Sequence, residues 1–148
     1  MITNIQAHQQ NSDDQRIGWV LKAMMIIPAL IIVFHMFIVT GIIPYSIVWG
    51  GQLTSTAEML QFEAVSIGIN LLVIAVFAAE GGYIRKLLPY NMKTIVLWVL
   101  FGLFVANTVA NVFAVSWIEK IVFTPLTLLF AVLTYRVIQY RKNNVGES

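Results

Sequence analysis

Cysteine is absent from this chain of 148 residues, which excludes disulfide bonds, thiolate metal sites and cysteine nucleophiles. Charge is scarce as well, because Asp, Glu, Lys and Arg make up 11% of the chain, against about a quarter in a typical soluble domain. Too few charges remain to cover a water-facing surface. Glycine-rich phosphate loops, paired metal-ligand motifs and nucleophile elbows are also missing from the sequence. These absences together argue against a water-soluble domain.

The chain is instead rich in long apolar runs, and 59% of its residues are hydrophobic. Four runs, at 17–43, 60–79, 94–115 and 121–137, each come near the roughly 20 residues that a helix needs to cross ~30 Å of hydrocarbon. The pattern predicts an all-α fold, an integral membrane four-helix bundle in one domain at 17–140. Residues 1–16 lack the features of a cleavable signal. They are predicted to be a flexible cytoplasmic tail, and residues 141–148 are predicted to be a second cytoplasmic tail.

Basic residues flank the apolar runs, as expected for residues that set membrane topology and not for a nucleic-acid-binding surface. If all four runs span the bilayer, eight of the nine Lys and Arg residues fall on one side. These eight are Arg16, Lys22, Arg85, Lys86, Lys93, Arg136, Arg141 and Lys142, and Lys120 alone falls on the other side. Because cytoplasmic loops carry the excess of positive charge, both termini are predicted to be cytoplasmic.

The first connection, residues 44–54, has the features of an ordered loop. Pro44 ends the first helix, and the adjacent Gly50 and Gly51 allow backbone conformations that are closed to other residues. Tyr45 and Trp49 are amphipathic rings suited to the headgroup level. Since Trp49 has too much apolar area to favour free solvent, the loop is predicted to fold over the outer mouth of the bundle as a lid.

Acidic residues mark both ends of the second helix. Ser55 or Thr56 is predicted to cap its first turn, where Glu58 is favoured by the helix dipole. Glu80 falls at the opposite, cytoplasmic end, close in sequence to a pair of basic residues. It is expected to be solvated there.

Polar side chains inside the predicted spans collect in the outer half of the bundle. Asn107 and Asn111 are four residues apart, and Glu63, Ser66 and Asn70 follow spacings of three and four, so each set lies on one helical face. Ionised carboxylates and unpaired amides are costly in hydrocarbon, and Glu63 is therefore expected to face Asn107 or Asn111. The sequence thus predicts a ligand-binding pocket formed by Glu63, Asn107, Asn111, His35 and Asn70 and roofed by Trp49, Gln52 and Tyr45.

Each of these residues also has a structural interpretation. Asparagine commonly joins membrane helices through hydrogen bonds, and a lone His35 is more typical of a packing residue than of a ligand. Glu63 is the strongest functional candidate, because an acid within a span has a functional role by default. Since His35 is the one histidine within a predicted span, neither a metal site nor a haem held by two histidines is expected, and no cofactor is predicted.

The stretches GIIPYSIVWGGQL, MLQFEAVSIGIN and EKIVFTPLTLLFAVL, with the asparagine pair of NTVAN, resemble a family of small bacterial four-span membrane proteins. The resemblance covers residues 34–136. It implies the fold and a multi-pass location in a bacterial cytoplasmic membrane, but no activity. Size and span number are also similar to those of the small multidrug resistance exporters. Those exporters carry an acid in the first span, whereas here the first span carries His35 and the acid Glu63 lies in the second.

Three functions are compatible with this sequence. In the first, Glu63 and the asparagine pair bind or transport a small polar or cationic ligand that enters from outside. In the second, a membrane enzyme acts on a lipid or isoprenoid-like substrate, with Glu63 or His35 as general acid or base. In the third, the same residues only set helix register in a structural or assembly subunit. The first is favoured because the spacing reveals no base with an orienting partner. The lipid bilayer is the expected partner, no nucleic acid is expected, and a homo-oligomer is left open.

Overall fold

The computed structural model describes residues 2–84, 89–114, 117 and 119–145. Four helices in this part of the chain are long and apolar enough to cross a membrane: His8–Val39, Thr56–Glu80, Met92–Val112 and Lys120–Asn144. The predicted all-α fold with four membrane-spanning helices is confirmed. Arg85 and Lys86, which contribute to the predicted orientation, lie outside the described residues, as do Val115 and Ser116. The end of the bundle that holds the first and third connections is called the outer end below, and the opposite end the inner end.

The first helix, α1, covers Ile2–Val39 as one continuous element. Residues 2–16, which were expected to form a flexible tail, are therefore helical. They contain neither proline nor glycine, so the helix of the first span extends back along the chain without meeting a breaker. Tyr140 of the last helix donates a hydrogen bond of 2.5 Å to Asp14. This bond ties the extension to the rest of the bundle.

The first connection contains two short 3-10 turns, Tyr45–Ile47 and Trp49–Gly51, before α2 begins at Thr56–Glu80. Ser55 caps α2, as predicted, because its hydroxyl accepts the backbone N–H of Glu58 at 3.2 Å. Glu58 accepts in return from the backbone N–H and the hydroxyl of Thr54, at 2.9 and 2.8 Å. These reciprocal bonds determine how the loop enters α2.

The third helix, α3, covers Tyr90–Val112, and α4 covers Thr124–Val145 after a π-helical turn at Glu119–Phe123. Pro125 is the second residue of α4 and follows directly after the π-helical turn, and because it has no N–H it cannot donate to a carbonyl of that turn. Because α4 continues to Val145, most of the predicted C-terminal tail is helical. Thr108 of α3 donates to the hydroxyl of Thr127 of α4 at 2.9 Å, and this bond joins the two helices within the span.

The helices associate as two pairs, α1 with α2 and α3 with α4, while α2 and α3 touch each other sparsely. The main apolar core extends from the middle of the bundle toward the inner end and includes Met24, Val73, Phe77, Leu97, Leu100, Phe104 and Phe130. A smaller apolar cluster at the outer end contains Ile38, Leu53 and Met59. On α2, Glu63 lies between Met59 of the outer cluster and Val73 of the core. The fold thus places a carboxylate between two apolar layers.

A charged cluster lies at the inner end, where Glu80 and Arg141 line a cavity of about 210 Å³. The side chain of Glu80 is 6% exposed, and its two carboxylate oxygens lie 2.7 and 3.0 Å from Nη1 of Arg141 on α4. Lys93 Nζ of α3 lies 4.0 Å from the same carboxylate and donates to the Ala79 carbonyl at 2.9 Å. The expectation that Glu80 is solvated is wrong, because the helical extension of α4 brings Arg141 to the end of α2.

Candidate functional site

Glu63 is the centre of the candidate site. It lies about two turns into α2, within a candidate membrane span, and it is 0% exposed. A carboxylate at this depth has no bulk water to solvate it, so donors from the protein must balance its charge. Two side chains from other parts of the chain contact it, one at each oxygen.

His35 of α1 contacts the first oxygen. Its Nδ1 lies 2.5 Å from Glu63 Oε2, and the residue is 8% exposed. An ionised carboxylate can only accept, so with Glu63 ionised the Nδ1–H group of His35 is the donor. When Glu63 is ionised and His35 is neutral, the pair carries one negative charge. When the pair has taken up one proton, its net charge is zero. The pair is therefore a site at which a proton or another cation can be held between α1 and α2.

Trp49 of the first connection contacts the second oxygen. Its indole Nε1–H donates to Glu63 Oε1 at 2.9 Å, and its ring packs on Phe62 with centroids 5.0 Å apart. The Trp49 backbone has φ of 55°, in the left-handed region that bulky residues rarely occupy. Gly51 follows with φ of 71° and completes the turn. The loop therefore contacts α2 through Trp49, which is 36% exposed, and its role as a lid stays a prediction.

A cavity of about 590 Å³ opens at the outer end beside this loop. Its lining is mainly apolar, with hydroxyl groups from Thr40, Tyr45, Ser46 and Thr56. Ile38 and Met59 also line it, and each is buried about one helical turn outward from His35 and Glu63, respectively. An apolar layer therefore lies between the cavity and the Glu63–His35 pair.

The asparagines predicted for this pocket lie elsewhere. Asn107 is exposed on α3 and Asn111 is half-buried, and neither is hydrogen-bonded to Glu63. The expected pairing of Glu63 across the interface between α2 and α3 is wrong, because α2 packs mainly against α1. Asn70 is half-buried, and its Nδ2 donates to the carbonyl of Ser66 at 2.8 Å, a bond within its own helix.

Of the predicted site residues, the structure brings His35, Glu63 and Trp49 together. Tyr45 lines the neighbouring cavity, and Gln52 is exposed on the loop. The sequence reasoning missed Phe62, whose ring supports Trp49. Its position beside Glu63 and its aromatic character were the available signals.

A metal centre is not assigned to this pair, because no group of three or more His, Cys, Asp or Glu side chains converges among the described residues. The chemistry that the geometry offers is proton and cation exchange at one buried carboxylate. Comparisons with protein-family models, with curated proteins and with solved structures find no match for this chain. The resemblance to small bacterial four-span proteins stays a prediction from sequence.

Proposed function

We propose that this integral membrane protein binds or transports a small organic cation, and that Glu63 and His35 form its binding site. The observation that carries the proposal is a fully buried carboxylate within a span, held by a histidine and an indole. Acids within membrane spans are rare because their desolvation is costly, and they often mark ion or substrate sites. A purely structural contact between α1 and α2 needs only neutral polar groups, which cost less to bury.

Aromatic rings near the carboxylate favour an organic ammonium ion as the ligand. Trp49 donates to Glu63 and packs on Phe62, and Tyr45 lines the adjacent cavity. Ring faces attract ammonium groups, most strongly where water is excluded, and a carboxylate supplies the opposite charge. An anionic ligand would meet the negative charge of Glu63 at the same place.

The packing supports entry from the outer end. The cavity of about 590 Å³ lies there, whereas the cavity of about 210 Å³ at the inner end lies beside Glu80 and Arg141, with the main apolar core between it and Glu63. A ligand that approaches Glu63 has to displace the Trp49 indole and part the layer formed by Ile38 and Met59. A monovalent cation bound there would balance the charge of an ionised Glu63.

The location that we propose is a bacterial cytoplasmic membrane, with both chain termini on the cytoplasmic side. Its support is the sequence resemblance and the distribution of eight of the nine basic residues to one side of the four spans. In this orientation the cavity and the Trp49 loop face the cell exterior.

Glu63→Gln tests the proposal, because it keeps the side-chain shape and removes the charge. Glu58→Gln is the matched control, since Glu58 is on the same helix but is bonded to Thr54 at the helix start. Each purified protein in nanodiscs is titrated with choline and with tetraphenylphosphonium, and heat and proton release are measured in weakly buffered solution. We expect binding in the wild type and in Glu58→Gln, and at least about tenfold weaker binding in Glu63→Gln. Equal binding in a folded Glu63→Gln protein, or no binding of either cation by the wild type, would overturn the proposal.

A membrane enzyme is the second candidate, and one specific contact favours it. The bond between Glu63 and His35 Nδ1 is the arrangement by which a carboxylate orients an imidazole base. In the test, wild-type protein and His35→Gln are reconstituted separately into vesicles of bacterial polar lipids. New lipid products in the two samples are then compared by mass spectrometry. A product that requires His35 would favour the enzyme over the cation-binding protein.

A further inference from the structure

The outer cavity and Glu63 lie along one face of α2. Met59 and Thr56 precede Glu63 by four and seven residues, which is the spacing of neighbours on a single helical face. Both residues line the cavity of about 590 Å³, and the exposed Thr56 is the first residue of α2. At a rise of about 1.5 Å per residue, about 10 Å separates the level of Glu63 from the level of Thr56. A ligand that extends from the carboxylate to the mouth of the cavity therefore has to cover this length.

The polarity along this path changes from its inner to its outer end. Glu63 lies at the inner end and is 0% exposed. The buried side chains of Ile38, Leu53 and Met59 come next, and they form the apolar floor of the cavity. The exposed hydroxyl group of Thr56 lies at the mouth. A ligand that matches this order has one charged end and an apolar body.

The volume of the cavity indicates how large that apolar body is. Choline has seven heavy atoms and needs roughly 200 Å³, at the ~30 Å³ that each water molecule takes up in the liquid. It would leave more than half of the cavity of about 590 Å³ to water that lies against an apolar floor. An alkyl chain of about eight carbons covers the path, because each methylene advances about 1.25 Å when C–C bonds are ~1.5 Å long. Such a chain replaces the water with apolar contacts.

The hydrogen bonds of Glu63 determine which kind of charged group fits. His35 contacts Oε2, and the indole of Trp49 is the donor that the described residues supply to Oε1. A ligand that displaces this indole leaves Oε1 without a donor, and an unpaired buried oxygen weakens the complex. A primary ammonium group restores the bond because it has N–H donors, whereas a quaternary ammonium group has none. Oε1 therefore favours a primary over a quaternary ammonium ion.

We propose that the ligand of this site is a primary alkylammonium ion with a chain of about eight carbons, which binds with its ammonium group at Glu63 and its chain in the outer cavity. The ligand is specified on the basis of the proposed function, in which Glu63 binds an organic cation. The chain passes between Ile38 and Met59 and ends at the level of Thr56. A longer chain gains nothing further, because its end extends past the cavity.

A series of chain lengths tests the apolar body. Wild-type protein in nanodiscs is titrated near neutral pH with ethyl-, butyl-, octyl- and dodecylammonium, and the heat measured with empty nanodiscs is subtracted. We expect affinity to rise about two- to fourfold per methylene as far as octylammonium, and to change less than about threefold from octyl- to dodecylammonium. Equal affinity for ethyl- and octylammonium would overturn the inference and leave the proposed function standing. An equally steep rise from octyl- to dodecylammonium would mean that lipid, and not the cavity, holds the chain.

Octyltrimethylammonium tests the charged group, since it has the same chain and no N–H donor. It should bind the wild-type protein at least about tenfold more weakly than octylammonium does. Equal binding of the two ions would contradict the role assigned to Oε1 of Glu63.

Thr56→Trp tests the position of the chain, because a large ring at this exposed residue fills the cavity without displacing a buried side chain. Ala57→Trp is the matched control, since Ala57 is the adjacent exposed residue and does not line the cavity. Thr56→Trp should weaken octylammonium binding at least about tenfold and change ethylammonium binding less than about twofold. Ala57→Trp should change neither. Unchanged octylammonium binding in folded Thr56→Trp would place the chain outside the cavity.

Glu63→Gln separates a failure of this ligand assignment from a failure of the proposed function. It should weaken the binding of both ethyl- and octylammonium at least about tenfold, because both ions need the carboxylate. If folded Glu63→Gln binds both ions as the wild type does, or if no cation of the series binds the wild type, the proposed function fails together with its ligand.

Discussion

The indole of Trp49 donates a 2.9 Å hydrogen bond to Glu63, although the Trp49 backbone has the unfavourable φ of 55°. Left-handed backbone costs a bulky residue on the order of 1 to 2 kcal/mol, so contacts elsewhere have to offset it. The bond to a buried carboxylate and the packing on Phe62 are the contacts available. The loop conformation should therefore depend on the side chain of Glu63.

Trp49→Phe should lower the free energy of unfolding by about 2 kcal/mol, because it removes the donor to a buried carboxylate and keeps an aromatic ring. The measurement is denaturant unfolding in detergent micelles. Trp19→Phe is the control, since Trp19 is exposed and its change should stay within about 0.5 kcal/mol. In a Glu63→Leu background the effect of Trp49→Phe should nearly vanish. An effect of the same size in that background would show that ring packing, and not the hydrogen bond, is what the substitution removes.

His35→Leu should destabilise the protein by about 1 to 3 kcal/mol, because it leaves the buried carboxyl group of Glu63 without its closest hydrogen-bond partner. The double variant His35→Leu with Glu63→Leu should recover most of that loss, since both polar groups are gone. Unfolding of the two single variants and the double variant gives the coupling energy. If the double variant is as unstable as His35→Leu, then His35 stabilises the protein through packing and not through its contact with Glu63.

Arg141→Met should lower the free energy of unfolding by about 3 kcal/mol, because among the described residues Glu80 then keeps Lys93, at 4.0 Å, as its opposite charge. The loss should change little between low and high salt, since the pair is shielded from solvent. Arg136→Met on the same helix is the control, because Arg136 is exposed. If high salt abolishes this loss of unfolding free energy, then the Glu80–Arg141 pair is hydrated in the bilayer.

Cysteine at Gln52, which is exposed on the first connection, should react with an impermeant maleimide added to intact cells. Cysteine at Tyr83, which is 66% exposed at the inner end, should react only after the membrane is permeabilised. This pattern follows from placing the basic side of the bundle in the cytoplasm. The reverse pattern would invert the topology and place the cavity on the cytoplasmic side.

The features that could be predicted from the sequence are those that depend on residues close to each other along the chain. The Ser55 cap could be predicted because an N-cap and the Glu58 N–H that it bonds are three residues apart. Trp49 could be placed against the bundle because a large ring beside two glycines favours burial over solvent. The helical extension at 2–16 was missed, although no breaker separates it from the first span.

The sequence by itself determined how many helices cross the membrane and where they lie, because transfer of an apolar run into hydrocarbon is a property of that run alone. Only the tertiary structure decided which neighbour each polar face meets. Helical spacing places Glu63 on a face of α2, but the packing of α1 against α2 gives that face His35 and not Asn107. In the same way, Arg141 reaches Glu80 from 61 residues away because α4 ends at the level where α2 ends. Such contacts depend on how the helices associate, and no local pattern in the chain specifies that association.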